Sequence, residues 1–175
     1  MLFGITTFTL VHTVLSLVGI LAGLVVAGGF AAGRRLDGWV GLFLVTTALT
    51  NITGVGFPFV TFLPGHAVGI LSLLMLPFVL VARYMKHEVG VWRRVFVLGS
   101  VVLLYFNVFI LVVQLFRRLP ALLASAPTQK EPPFALTQLA VLALFLWLGR
   151  AADRAYRGEM AGATVRGSAA RPAAI

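Results

Sequence analysis

Two histidines are the residues of this chain best suited to bind a metal or a haem. His12 and His66 fall in apolar stretches on different predicted helices, and neutral imidazole is a common protein ligand of haem iron and of transition metals. Neither histidine has a second histidine or a carboxylate one helical turn away, so no metal site within a single helix is predicted. A structural role for the pair is the favoured interpretation, and ligation of a b-type haem is its alternative.

Four side-chain amides could complete a binding site, because an amide that faces lipid has no partner. They are Asn51, Asn107, Gln114 and Gln138. Ser100, Asn107 and Gln114 follow at intervals of seven, which predicts one polar stripe along a helix. Two interpretations stay open for the amides. They either join helices by hydrogen bonds, or they converge with the histidines in an outward-facing pocket for haem, quinone or a small polar solute.

The positions of the acidic residues argue against several kinds of catalysis. All five carboxylates, Asp37, Glu88, Glu131, Asp153 and Glu159, lie outside the long uncharged stretches. An intramembrane proton relay or aspartyl protease is therefore not predicted. The chain has no cysteine, no Gly-x-Ser-x-Gly elbow and no phosphate-binding loop. The lack of a complete catalytic constellation favours a non-enzymatic protein.

The composition indicates which environment surrounds these residues. The chain has 175 residues, of which 60% are hydrophobic and 11% charged, and its mean hydropathy is +1.02. These values are typical of an integral membrane protein and not of a soluble domain. In such a chain, the net charge of +9 indicates topology and contact with anionic lipid, so no nucleic-acid partner is predicted.

Uncharged stretches define the membrane spans. They cover residues 1–33, 38–82, 95–116 and 132–149, and a spanning helix needs about 20 apolar residues. The stretch of 45 residues must fold as a hairpin, because it carries Pro58 and Pro64 near its middle. The prediction is an all-α bundle of about five transmembrane helices in a single domain, residues 1–150, with spans near residues 5–32, 39–58, 66–84, 94–116 and 134–150.

Two segments outside the spans carry predictions of their own. The connection between the last two spans should contain a short interfacial helix, residues 119–126, that lies above the polar residues. Residues 151–175 are predicted to be a basic cytoplasmic tail that is helical for a few turns and disordered from Gly162 onward.

The basic residues predict the orientation of the bundle. With the N-terminus outside and the C-terminus inside, 11 basic residues lie inside and 3 lie outside, which follows the positive-inside rule. The aromatic residues Trp39, Tyr84, Trp92 and Trp147 then fall at the inner interface as a belt, and the histidines and amides fall in the outer half. The predicted location is the bacterial inner membrane.

A stripe of small residues suggests how the protein works. Gly19, Gly23 and Ala27 repeat every four residues on the first span, and such a stripe lets membrane helices approach closely. The favoured hypothesis is an accessory subunit of a larger membrane complex, with other membrane proteins or a second copy as its partner. A haem-, quinone- or solute-binding redox or ligand-binding protein is the alternative. A small transporter comes third, because five spans do not divide into inverted repeats.

Several short segments resemble those of a family of small bacterial integral membrane proteins, mostly proteobacterial. They are Pro64-Gly65-His66, Tyr105-Phe106-Asn107, Gln114-Leu115-Phe116 and the stretch from Ala126 to Phe134. The resemblance covers residues 5–150 and implies a bacterial inner-membrane setting. No activity, cofactor or partner is attached to that family, so no functional residue is carried over from it.

Overall fold

The structure, a computed structural model, describes residues 6–56 and 64–169, and these residues form a helical bundle. The helices are α1 (Thr7–Ala31), α2 (Asp37–Val55), α3 (Pro64–Leu80), α4 (Val91–Arg118), α5 (Pro120–Ser125) and α6 (Pro132–Ala169), and a π-helical segment, Val81–Met85, continues α3. Among the described residues, five helices are long and apolar enough to cross a membrane. The prediction of an all-α, multi-pass membrane bundle is confirmed.

The boundaries of α6 differ from those that the sequence predicted. The last span was placed at residues 134–150, with disordered chain from Gly162, whereas α6 continues to Ala169. Alanine and arginine are frequent in residues 151–169, and their high helix propensity favours continuation of the helix. The rest of the predicted disordered tail, residues 170–175, lies outside the described residues. The predicted interfacial helix is present as α5.

Local sequence accounts for the antiparallel pair formed by α1 and α2. The Thr6 side chain caps α1 by accepting a hydrogen bond from the backbone N–H of Thr9. At the other end, Gly33 adopts φ 68°, and the backbone N–H of Arg34 donates to the carbonyl of Gly29 at 2.7 Å. This is a Schellman motif, which needs a residue with positive φ and turns the chain back toward α2.

The centre of the bundle is α4, which packs on α1, α3 and α6. Its side chains Phe96, Leu103 and Leu104 are at most 1% exposed. They pack with Phe30 of α1 and Phe43 of α2 in one hydrophobic core. This core holds the neighbouring helices in fixed rotations, and so decides which polar residues can meet.

The stripe of small residues on α1 is used inside the chain. Gly19, Gly23 and Ala27 are buried. A Cβ atom at Gly23 would lie 2.6 Å from Leu104 Cδ1 and 2.8 Å from Phe43 Cε2. At Gly19 it would lie 3.1 Å from Thr46 Oγ1. The stripe therefore lets α1 approach α2 and α4 of the same chain closely.

The bundle has two ends of different character. We call one end the basic end. It brings together the C-terminal end of α1, the start of α2, the π-helical segment, the start of α4 and residues 150–156. The other part, where α1 begins and α2 ends, is called the opposite half. There, α5 and the residues after it pack on α4 around a second small hydrophobic cluster, Val112, Phe116 and Ala126.

Candidate functional site

His12 is held by α2. Its Nδ1 lies 2.8 Å from Thr53 Oγ1, and the Thr53 hydroxyl donates to the carbonyl of Leu49 at 2.7 Å. A hydroxyl has one hydrogen to donate, so when Thr53 donates to Leu49 it accepts from Nδ1 of His12 in the tautomer that carries a proton there.

His66 occupies a different environment from His12. It is half-buried in the first turn of α3. A Cβ atom on the preceding residue, Gly65, would lie 3.6 Å from Ile110 of α4. His12 is thus bonded to α2, whereas the residue before His66 lies against α4. Within the described part of the chain, no three residues of the metal-binding types cluster together.

Three of the four amides join helices in the opposite half. Asn51 Nδ2 of α2 donates to Ser72 Oγ of α3 at 2.8 Å. Asn107 Nδ2 of α4 donates to Thr47 Oγ1 of α2 at 3.3 Å, and Gln138 Nε2 of α6 donates to the carbonyl of Phe109 in α4 at 3.2 Å. Each amide thus satisfies a donor across a helix interface, as in the interhelical interpretation.

Gln114 does not join the other amides, which corrects the predicted convergence of six residues. Its side chain is exposed, whereas Ser100 is buried and Asn107 is half-buried. An ideal α-helix turns by about 20° relative to a seven-residue repeat, so two repeats rotate a side chain by about 40°. The interval of seven residues therefore carries the stripe from the core at Ser100 to the surface at Gln114.

The hydroxyl groups of the spans mostly bond to their own helices. Those of Thr13, Ser16, Thr46 and Thr137 each donate to a carbonyl four residues earlier at 2.7 to 2.8 Å. Such bonds satisfy the hydroxyl at little cost and need no ligand. In the described structure, Thr50 Oγ1, Ser100 Oγ and Gln138 Oε1 are buried without a hydrogen-bond partner.

The basic end contains an ionic cluster that the sequence analysis missed, buried at Arg83 and Glu88 and exposed at Asp37. Arg83 is ion-paired with Glu88 through Nη1 and with Asp37 through Nη2, the latter at 2.6 Å. The Tyr156 hydroxyl of α6 donates to Glu88 Oε2 at 2.5 Å. The side chains of Arg83 and Glu88 are only 10% and 5% exposed. We call Asp37, Arg83, Glu88 and Tyr156 the ionic cluster.

The π-helical segment places Arg83 in this cluster. Pro77 lies inside α3 and cannot donate a backbone hydrogen bond, and the helix widens one turn later at Val81–Met85. The Arg83 guanidinium comes to lie 5.5 Å from the centre of the Phe96 ring, a cation–π contact. Glu88 has φ 58°, and its backbone N–H donates to the carbonyl of Ala82 at 2.9 Å. The loop thus folds back onto the segment.

The surroundings of the cluster combine apolar packing with a second cation. Phe30 packs edge-on against Tyr156, with ring centres 5.3 Å apart. Arg35 Nε lies 2.7 Å from Asp37 Oδ1. Partial burial works against the charged form of Arg35, but the hydrogen bond to Asp37 and the charge of Glu88 outweigh this effect and raise the pKa of Arg35. The charges are therefore compensated within the chain, as burial requires.

The sequence held a signal for this cluster. Asp37 and Glu88 are the acidic residues of the first and third connections, which were predicted to lie on the same side of the membrane among basic residues. The sequence analysis placed both carboxylates outside the spans and assigned no role to them. Tyr156 lay beyond the predicted end of the last span, so its approach to Glu88 could not be foreseen.

Searches of protein-family models, of curated proteins and of solved structures find no match to this chain.

Proposed function

We propose that this protein is a non-enzymatic membrane protein that works by association, as an accessory subunit of a larger membrane complex or with a second copy of itself. The observation that supports this proposal is a set of glycines that the fold does not need. A Cβ atom at Gly28, Gly38 or Gly41 would meet no atom within 4 Å. A glycine inside a helix costs about 0.5–1 kcal/mol relative to alanine, so these glycines leave room for something outside the chain.

The three glycines lie on neighbouring helices near the same level. Gly19 of α1 is opposite Thr46 of α2, and Gly23 is opposite Phe43. Because the helices are antiparallel, continuing this register brings Gly28 to the level of the first turns of α2, which hold Gly38 and Gly41. Exposed leucines flank them, Leu24 at 47% and Leu42 at 41%. A partner helix could approach this glycine surface closely, as small residues allow.

The protein mass of the particle in mild detergent tests this proposal. We expect the purified chain to elute with a stoichiometric partner or as an oligomer, with a protein mass well above the 18.8 kDa of one chain. The double variant Gly28→Leu/Gly41→Leu should reduce that mass, because leucine fills the space. Gly69→Leu is the matched control, since Gly69 also has open space around its Cβ position but lies on α3.

Unchanged thermal unfolding of both variants would show that the fold is intact. A wild-type chain that elutes alone, as a monomer, contradicts the proposal. Equal loss of mass in Gly69→Leu would contradict the assignment to the glycine surface.

We also propose that the protein lies in the bacterial inner membrane with its N-terminus outside. The excess of 11 basic residues over 3 supports this orientation. In this cysteine-free chain, Thr128→Cys should react with an impermeant thiol reagent in intact spheroplasts, and Gly162→Cys should not. The reverse pattern of labelling would contradict the orientation.

Binding of a small ligand in the opposite half is the second candidate function. It is supported by Gln138, which is 9% exposed and whose Oε1 has no hydrogen-bond partner in the described structure. A buried acceptor without a donor favours a water molecule or a ligand that carries a hydroxyl or N–H group.

Mass spectrometry of an organic extract of the purified protein tests for such a ligand. We expect a bound quinone or polar solute whose yield falls in Gln138→Leu and is unchanged in Gln114→Leu, the exposed control. A haem would add a Soret band that is lost in His12→Ala and in His66→Ala. A colourless preparation whose extract holds no stoichiometric small molecule contradicts this candidate.

A further inference from the structure

Two adjoining depressions lie at the basic end, where α3 connects to α4. One, of about 400 Å³, is lined by Gly90, Val91, Arg93 and Arg94. The other, of about 250 Å³, is lined by His87, Glu88, Val89, Gly90 and Arg93. They share Gly90 and Arg93, so they form one continuous surface, which we call the loop depression.

The charges around the loop depression are positive. Arg93 and Arg94 line it, and the Nζ of neighbouring Lys86 is held 5.8 Å above the Trp92 ring. Arg94 has only a loose ion pair, 3.6 Å to Asp153, and its side chain is 55% exposed. An anion would therefore find basic side chains on more than one side.

The ionic cluster neutralises the carboxylate that borders the loop depression. Glu88 borders the depression, but its Oε1 is paired with Arg83 and its Oε2 accepts the Tyr156 hydroxyl. Its side chain is 5% exposed. The negative charge is thus neutralised inside the protein, and Lys86 and Arg93 determine the potential at the surface.

Apolar side chains stand beside these charges. Val89 and Val91 are 70% and 67% exposed, so the described residues leave most of both side chains uncovered. A free phosphate would use the basic groups and leave both valines in contact with water. A phospholipid would use both, because its phosphate meets the basic groups while its glycerol carbons contact the valines.

We propose that the loop depression binds the phosphate headgroup of an anionic phospholipid, with Arg93 and Lys86 as the main phosphate contacts and Val89 and Val91 against the glycerol carbons. This inference stands apart from the proposed association, because it uses other residues at a different place on the bundle.

Native mass spectrometry of the full chain in detergent tests the proposal, with phosphatidylglycerol and phosphatidylcholine as probes. In the variant Lys86→Gln/Arg93→Gln we expect the apparent Kd for phosphatidylglycerol to rise about 30-fold, the equivalent of about 1 kcal/mol for each basic side chain. The matched control is Arg34→Gln/Arg154→Gln, which also removes two exposed charges. It should change the Kd less than about twofold. Phosphatidylcholine should bind weakly to all three proteins.

Single substitutions at Arg93 and competition with inorganic phosphate provide further tests. Arg93→Lys should retain most of the affinity, and Arg93→Gln alone should weaken binding about fivefold, half of the effect on a free-energy scale. The single variants carry the test if the double variant does not fold. Equal weakening in the control variant, or no weakening in either variant, would overturn the proposal. Displacement of phosphatidylglycerol by millimolar inorganic phosphate would identify free phosphate as the ligand and would overturn the assignment to lipid.

Discussion

At the basic end, Arg83 of the π-helical segment is ion-paired with Asp37 of α2 and with Glu88 of the following loop. Glu88 also accepts a hydrogen bond from Tyr156 of α6. In the opposite half, neutral amides on α2, α4 and α6 each donate one hydrogen bond across a helix interface. Both regions place polar groups inside an apolar protein. A charge needs several partners before its burial is tolerated, whereas a neutral amide is served by one or two.

The two regions should differ in how much unfolding free energy is lost when one of their residues is replaced. Removing Arg83 from the ionic cluster leaves the buried Glu88 carboxylate with only its looser contact to Arg35, which is more costly than the loss of the bond itself. Removing an amide from the opposite half deletes one weak bond and leaves a hydroxyl or a carbonyl that can find another partner. The four predictions below test this difference, from the largest expected effect to the smallest.

Arg83→Met should produce the largest loss of stability, about 3–5 kcal/mol, because Glu88 would remain buried with only the looser ion pair to Arg35, at 3.7 Å. The free energy of unfolding in detergent, measured by denaturant titration, checks this value. Arg35→Met is the matched control: its side chain is 48% exposed, so it should cost no more than about 1 kcal/mol. The double variant Arg83→Met/Glu88→Met should recover most of the loss. A loss below about 1 kcal/mol for Arg83→Met would show that the cluster is not a strongly coupled unit.

Tyr156→Phe should have the next largest effect, about 1.5–3 kcal/mol, because it removes a hydrogen bond to a buried charged group. The same unfolding titration measures it. Tyr105→Phe is the control, since the Tyr105 ring packs against Phe145 with centres 5.7 Å apart and that packing survives the change. Equal losses of unfolding free energy in the two variants would show that the hydrogen bond to Glu88 does not stabilise the fold.

Asn51→Leu should cost less, about 0.6 kcal/mol and at most about 1.7 kcal/mol, which is the range for interhelical hydrogen bonds in membranes. Asn107→Leu should cost no more, because its bond to Thr47 is longer, 3.3 Å against 2.8 Å. The comparison between the two regions breaks down if Asn51→Leu destabilises the protein as strongly as Arg83→Met.

Gln114→Leu should be nearly neutral, within about 0.5 kcal/mol, because the side chain is exposed and outside the core. Denaturant titration of Gln114→Leu and Asn51→Leu in parallel measures the difference between their unfolding free energies. A loss above about 1 kcal/mol would indicate that Gln114 contacts the other amides after all.

The helices themselves could be predicted, but their contacts could be predicted only in part. The spans follow from uncharged stretches, and the second and third spans are separate helices, as predicted, with α2 ending at Val55 and α3 beginning at Pro64. The ionic cluster was missed although Asp37 and Glu88 were predicted on the same side as Arg83. Whether oppositely charged residues at one end of a bundle meet depends on how far each helix turns, and the π-helical segment changes that turn for Arg83.

The small residues of α1 show the same limit. The pattern of Gly19, Gly23 and Ala27 predicted a close helix contact, but it could not tell a neighbour within the chain from a separate partner. Only the positions of Phe43 and Leu104 against Gly23 show that the contact is internal. The sequence suggested no role for Gly28, Gly38 or Gly41, and only the empty space around their Cβ positions distinguishes them.

What the sequence determined by itself was the number and the approximate extent of the membrane-spanning helices. In a hydrocarbon layer each backbone group must be hydrogen-bonded within its own segment, so apolar length and the position of charges are sufficient. The tertiary structure decided which polar side chains meet, because that depends on the rotation and close packing of whole helices. A rotation of about 40° over two seven-residue repeats was enough to separate Gln114 from the buried face that holds Ser100.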